Sequence, residues 1–154
     1  MRIVIYKTEL NEDLHNVLIK EYGCNYPVDK LDNPEVIVKM LNDILKLNKQ
    51  SEEYIYDCFF CLNIKCKILG MFEISHGTVC HSFCEPREIF MKALLCGASN
   101  IILAHNHPSQ DINPSKEDIS VYNRIKEAGK IIGVKLLDNI IVGAGYYSFE
   151  EKGM

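Results

Sequence analysis

Two histidines, a proline, a serine and an aspartate stand at a spacing that could hold a metal ion: His105-Asn106-His107-Pro108, six residues, then Ser115-Lys116-Glu117-Asp118. On a β-strand, residues i and i+2 share a face. His105 and His107, at a strand end, can therefore aim two imidazoles into one cleft. Pro108 lacks a backbone donor and turns the chain off the sheet. Ser115 then caps a helix, and Asp118 lies in its first turn, facing back toward the strand end. Two neutral imidazoles and a carboxylate are a ligand set for zinc, with bonds of about 2.0–2.2 Å. Three protein ligands leave the fourth tetrahedral position to water, the mark of a catalytic rather than a structural site. Each half also has an ordinary reading. Ser-x-x-Asp is a capping box at a helix start, and His-x-His on a strand can be two half-exposed side chains. All five positions together, with a strand on one side and a helix on the other, favour the metal.

The elements that must position these residues can be read from the pattern. Residues 100–105 are a short apolar run, as in a buried strand. Residues 108–114 are a turn-rich loop, and the helix that follows is predicted over 116–128, stopped by Gly129. Upstream, residues 2–6 read as a strand, and 8–32 are mixed, with turn formers at Tyr22-Gly23 and Tyr26-Pro27. Asn33-Pro34-Glu35 starts a helix whose apolar face is Ile37, Met40, Leu41, Ile44 and Leu45, ending near Asn48. Strands are expected at 54–62 and 67–75 around a turn at 63–65, and a helix from Pro86 to about Cys96, stopped by Gly97. Two strands, 131–137 and 139–142, precede a last one at 146–149. The expected architecture is α/β, one sheet with helices against it.

Length and composition narrow the function classes. The 154 residues fit one ordinary domain, and 47% hydrophobic with 25% charged residues excludes a disordered or low-complexity chain. No apolar run approaches the ~18–20 residues of a membrane span, and the N-terminal segment does not read as a signal peptide. A cytoplasmic, soluble protein is expected. The net charge of −4 argues against binding the nucleic-acid backbone. Seven cysteines, an odd number, read as free thiols in a reducing compartment. Cys58-x-x-Cys61 has metal or redox spacing, but on a strand i and i+3 face opposite sides, so core thiols are the expectation. Cys80 and Cys84, with His76 and His81, are read as surface loop residues. Asp138 is read as a loop-holding residue rather than a ligand, and Arg124, Lys126, Lys130 and Lys135 as a solvated face.

The segments around the histidines resemble a known family. Gly77-Thr78, Pro86-Arg87-Glu88-Ile89-Phe90, Ile102-Leu103-Ala104-His105-Asn106-His107-Pro108-Ser109, Pro114-Ser115-x-x-Asp118 and Leu137-Asp138-x-Ile140-Ile141-Val142-Gly143 are similar to the RadC-like JAB domain family, within the JAMM (MPN+) metalloproteases. The resemblance covers about residues 50–150. It implies a JAB/MPN fold, a cytidine-deaminase-like mixed sheet flanked by helices. It divides the chain into a strand and helical extension over 1–50 and the JAB domain over 51–154. The N-terminal third resembles that of short members without the helix-hairpin-helix DNA-binding region.

The resemblance also implies roles. Zn2+ would be held by His105, His107 and Asp118, and Ser115 would hydrogen-bond the attacking water or the developing oxyanion. An upstream glutamate would be the general base; Glu53 matches its place best, with Glu52 beside it and Glu73 as the rival. The segment from Glu53 to Lys65 is about two residues longer than the family's. Glu88, in a first helical turn, has the ordinary role of favouring the dipole. The sequence departs from the family at Gln110, usually glycine, and at Asn139, usually histidine. The implied activity is metal-assisted hydrolysis of a peptide or isopeptide bond, with a protein or peptide as substrate. The alternatives are a non-catalytic DNA-repair or mobile-element accessory protein, and a metal-dependent nuclease, which the charge disfavours.

Overall fold

The computed structural model describes residues 1–47, 56–76 and 84–154. Its strands form one mixed sheet of seven in the order β2-β1-β4-β3-β5-β6-β7 among the described residues. β1 (Arg2–Leu10) and β2 (Asn16–Asn25) are an antiparallel hairpin, and β1 joins the sheet parallel to β4 (Ile68–His76) at Ile5 and Met71. β3 (Tyr56–Leu62) is antiparallel to β4 and to β5 (Asn100–Asn106). β5 runs parallel to β6 (Lys135–Val142), which ends against β7 (Tyr146–Ser148).

Period-2 alternation divides the core between the two sheet faces. Cys58 and Phe60 of β3 join Ile102 and Ile140 beneath α1 (Pro34–Leu45), which contributes Ile37, Met40 and Leu41. Phe59 and Cys61 join Leu103 and Ile141 on the other face, beneath α2 (Pro86–Leu95) and α3 (Lys116–Ile132). These two helices contribute Ile89, Phe90, Tyr122 and Ile125. Fully burying each large apolar side chain is worth about 1.5–3 kcal/mol, so both helical layers are held chiefly by these contacts. The thiols of Cys58 and Cys61 lie in different clusters, and burial pushes the Cys58 thiol well up. Cys84 is buried, not on the surface; Cys80 and His81 lie outside the described residues.

The starts of α1 and α3 follow their caps. Asn33 Oδ1 accepts from the backbone N–H of Glu35 at 2.8 Å and of Val36 at 3.3 Å. α1 ends at Leu45, three residues early, on a left-handed Lys46. α3 runs through Gly129 to Ile132 and stops on Gly133, φ 84°. Gly129 serves packing instead: a Cβ there would stand 2.4 Å from the Val134 carbonyl oxygen. The expected break at residue 138 is absent, and one strand runs from 135 to 142. Asp138 stays inside it because Ser148 Oγ and the Asn139 and Glu150 backbone N–H groups all donate to its carboxylate. The region 8–32, left unordered by the sequence, supplies the rest of the hairpin, with Tyr22-Gly23 inside β2. No described helix is long and apolar enough to cross a membrane.

Candidate metal centre

The site lies at the carboxyl end of β5, where open α/β sheets commonly bind ligands. His105 is the penultimate residue of β5, and its side chain points to the α2/α3 face, as those of Ile101 and Leu103 do. His107 stands one residue past the strand, its N–H on the Val142 carbonyl at 2.8 Å. Pro108 begins the loop that leads to α3. Ser115 caps that helix and Asp118 is its third residue, which brings a carboxylate back over the strand end.

The three side chains converge. His105 Nε2 lies 3.2 Å from His107 Nε2 and 3.2 Å from Asp118 Oδ1, and His107 Nε2 lies 3.4 Å from Asp118 Oδ2. One ligand atom from each falls within 4.8 Å of the others, a group that could hold a metal ion. The hydrogen bonding fits that use. His107 Nδ1 is 2.6 Å from the Asp111 carbonyl oxygen. A carbonyl only accepts, so Nδ1 carries the proton and the Nε2 of the neutral ring keeps its lone pair for the site.

The electrostatics agree. Burial acts against the Asp118 carboxylate, but hydrogen bonds from His105, His107 and Ser115 outweigh it and hold its pKa well below the usual range. Burial would lower His107; its bonds to Asp118 and to the Asp111 carbonyl prevail and raise it.

Ser115 reaches the site through Asp118. Its hydroxyl donates to Asp118 Oδ2 at 2.7 Å and accepts the Asp118 N–H at 3.1 Å, a complete capping box. Of the carboxylates considered as a base, Glu53 and Glu52 lie outside the described residues. Glu73 is exposed on β4 and register-paired with Cys58, whose side chain belongs to the α1 face. Glu88 is exposed and pairs with Arg87 at 2.9 Å. Gln110 itself takes the left-handed conformation, φ 66°, that a glycine would adopt freely. Asn139 is buried opposite Leu103, and its Oδ1 meets no donor among the described residues. The sequence reading passed over Asp57, a buried carboxylate directly opposite His105 on β3. Its signal was an aspartate inside an otherwise apolar and aromatic strand.

Comparison with known proteins identifies the family. The profile of the RadC-like JAB domain matches residues 31–154, beginning earlier than the resemblance suggested. A UPF0758 protein of Clostridium tetani is 42% identical over 131 residues, 84% of this chain and 54% of that protein. One of Thermotoga maritima is 38% identical over 126 residues, 81% and 54% of the two chains. One of Rubrobacter xylanophilus is 47% identical over 93 residues, 60% and 41%. The chain spans about half the length of these curated relatives, whose names state no activity. With the profile matched over most of its length, the chain belongs to the RadC-like JAB domain family.

Proposed function

We propose that the protein is a zinc-dependent hydrolase of the JAMM type that cleaves a peptide or isopeptide bond in a protein or peptide substrate. The observation that carries this reading is the convergence of His105 Nε2, His107 Nε2 and an Asp118 oxygen within 4.8 Å. Two imidazoles and one carboxylate suit zinc and leave an open position. When bound, zinc supplies a Lewis acid and makes water a nucleophile near neutral pH. The protein's own groups do the rest. Asp118, kept ionised, balances the cation's charge. The Asp111 carbonyl fixes the His107 tautomer. Ser115 orients Asp118 with its one hydroxyl proton, which would have to turn from Asp118 Oδ2 to serve a developing oxyanion. Glu53 is assigned to take a proton from the attacking water and pass it to the leaving amine.

The test is metal content by plasma mass spectrometry on untagged protein, beside His107→Ala, followed by peptide and isopeptide hydrolysis assays. About one zinc per chain, lost in the variant, together with chelator-sensitive cleavage, is the expected result. No zinc in either protein, even after adding it back, would overturn the hydrolase reading and favour a non-catalytic binding module.

A further inference from the structure

We propose that Asp57 is the positioning residue of this centre: its carboxylate accepts a hydrogen bond from His105 Nδ1–H and holds that imidazole with Nε2 toward the metal. The inference rests on the metal-site reading above. It begins with the ladder. β3 and β5 pair antiparallel without interruption from Leu62 and Asn100 to Asp57 and His105, which stand directly opposite one another. Residues so paired point to the same face, with Cβ atoms roughly 4.5–5.5 Å apart. Phe59 and Cys61 on β3, and Ile101 and Leu103 on β5, identify that face as the one under α2 and α3. Asp118 approaches from α3 on the same side.

The chemistry narrows the partner. His105 Nε2 is engaged, 3.2 Å from both His107 Nε2 and Asp118 Oδ1. The remaining nitrogen, Nδ1, is the one nearer the backbone. An aspartate carboxylate is also bonded directly to its Cβ, so two short groups meet across neighbouring strands without reaching past each other. Both residues are buried, each 7% exposed. A buried carboxylate needs donors, and a ligating histidine characteristically gives its second N–H to a carboxylate or carbonyl. His107 already does so, to the Asp111 carbonyl. Asp57 is the corresponding acceptor for His105, which leaves both rings in the Nδ1–H tautomer.

Zinc titration against a chromophoric chelator, with nitrogen-15 spectra of the histidine side chains, tests this on wild type, Asp57→Ala and Asp57→Asn. Asp57→Ala is expected to weaken zinc binding about 10–100-fold. It should also remove the hydrogen-bonded Nδ1–H signal of His105 while that of His107 persists. The Asn variant keeps an acceptor of the same shape and is expected to fall between, and it stands in if the alanine variant does not fold. Wild-type protein that binds no zinc would overturn the site reading, and this inference with it. Wild type that binds zinc while both variants bind with undiminished affinity and keep the His105 signal would overturn the inference alone.

Discussion

Ser115 donates its hydroxyl and its backbone N–H to the same Asp118 oxygen, each at 2.7 Å, and that oxygen stands 3.4 Å from His107 Nε2. The bond that starts α3 is thus also the bond that aims a carboxylate at the two imidazoles. The ordinary and the chemical readings of Ser-x-x-Asp are one structure: a capping box whose acid has a second task. Ser115→Ala should therefore do two things. Loss of the cap should cost about 0.5–2 kcal/mol in urea unfolding. Freeing the Asp118 carboxylate should weaken zinc binding about 10-fold or more. A variant that loses stability but binds zinc as wild type does would reduce Ser115 to a helix cap.

Zinc should stabilise the fold, because the three ligands converge only in the native state. At a concentration one hundred times its dissociation constant, a ligand of the folded state adds about 2.7 kcal/mol. For a chain of this size that raises Tm by about 5–11 °C. Circular dichroism on heating should show the rise in wild type, its reversal by chelator and its absence in His107→Ala. A wild-type Tm indifferent to zinc would speak against the centre.

The site was legible where local chemistry dictates local structure. Pro108 and Ser115 act within a turn of their own positions, and a strand end followed by a loop and a helix start brings Asp118 back to His105, so the spacing is enough to place them. The three helices were legible from Asn33, Pro86 and Ser115 at their starts. What the sequence hid depends on distant partners. Gly129 reads as a helix stop until the Val134 carbonyl is seen against it. Asp138 reads as a strand break until Ser148 and Glu150 are seen to satisfy it. The β1–β2 hairpin lies at the sheet edge, largely exposed on both faces of β2, so its residues lack the alternation that marks a half-buried strand. Asp57 was missed because only the β3–β5 register sets it opposite His105.

Gln110 sets the loop that anchors His107. Its φ of 66° is costly for a residue with a Cβ. Its carbonyl accepts the Ala144 N–H at 3.2 Å, and that oxygen lies 2.9 Å from where a Cβ on Gly143 would stand. Gln110→Gly relieves the left-handed strain and should add about 0.5–1 kcal/mol, after the greater chain entropy that glycine loses. Gly143→Ala should destabilise by about 1–3 kcal/mol through the clash. Chemical denaturation of both variants checks the pair of signs; a destabilised Gln110→Gly would show that its side chain, not its backbone, holds the loop.

Asp138 predicts a pH dependence remote from the metal centre. Burial pushes its pKa up, and the bonds from Ser148, Glu150 and Asn139 only partly offset this. In the unfolded chain the carboxyl titrates near its ordinary value of about 3.9. Between that value and its higher native one, the folded state binds more protons than the unfolded. The carboxyl's contribution to stability is therefore full below the lower value and is lost as pH rises through the higher one. Asp138→Asn keeps an acceptor for the two backbone N–H groups and turns its amide N–H toward Ser148 Oγ. It removes the titration and reverses the bond with Ser148, whose hydroxyl proton loses its acceptor, a cost that does not vary with pH. The stability of the variant relative to wild type should thus improve as pH rises from about 4 and level off above the native pKa. Asp138→Ala removes the titration too, so its curve should keep the shape of the Asn variant's, displaced downward by about 2–4 kcal/mol for the three donors left unmatched. Urea unfolding at closely spaced pH values separates the two. Curves for wild type and Asp138→Asn that run parallel through that window would mean that the carboxyl titrates alike in the folded and unfolded chain.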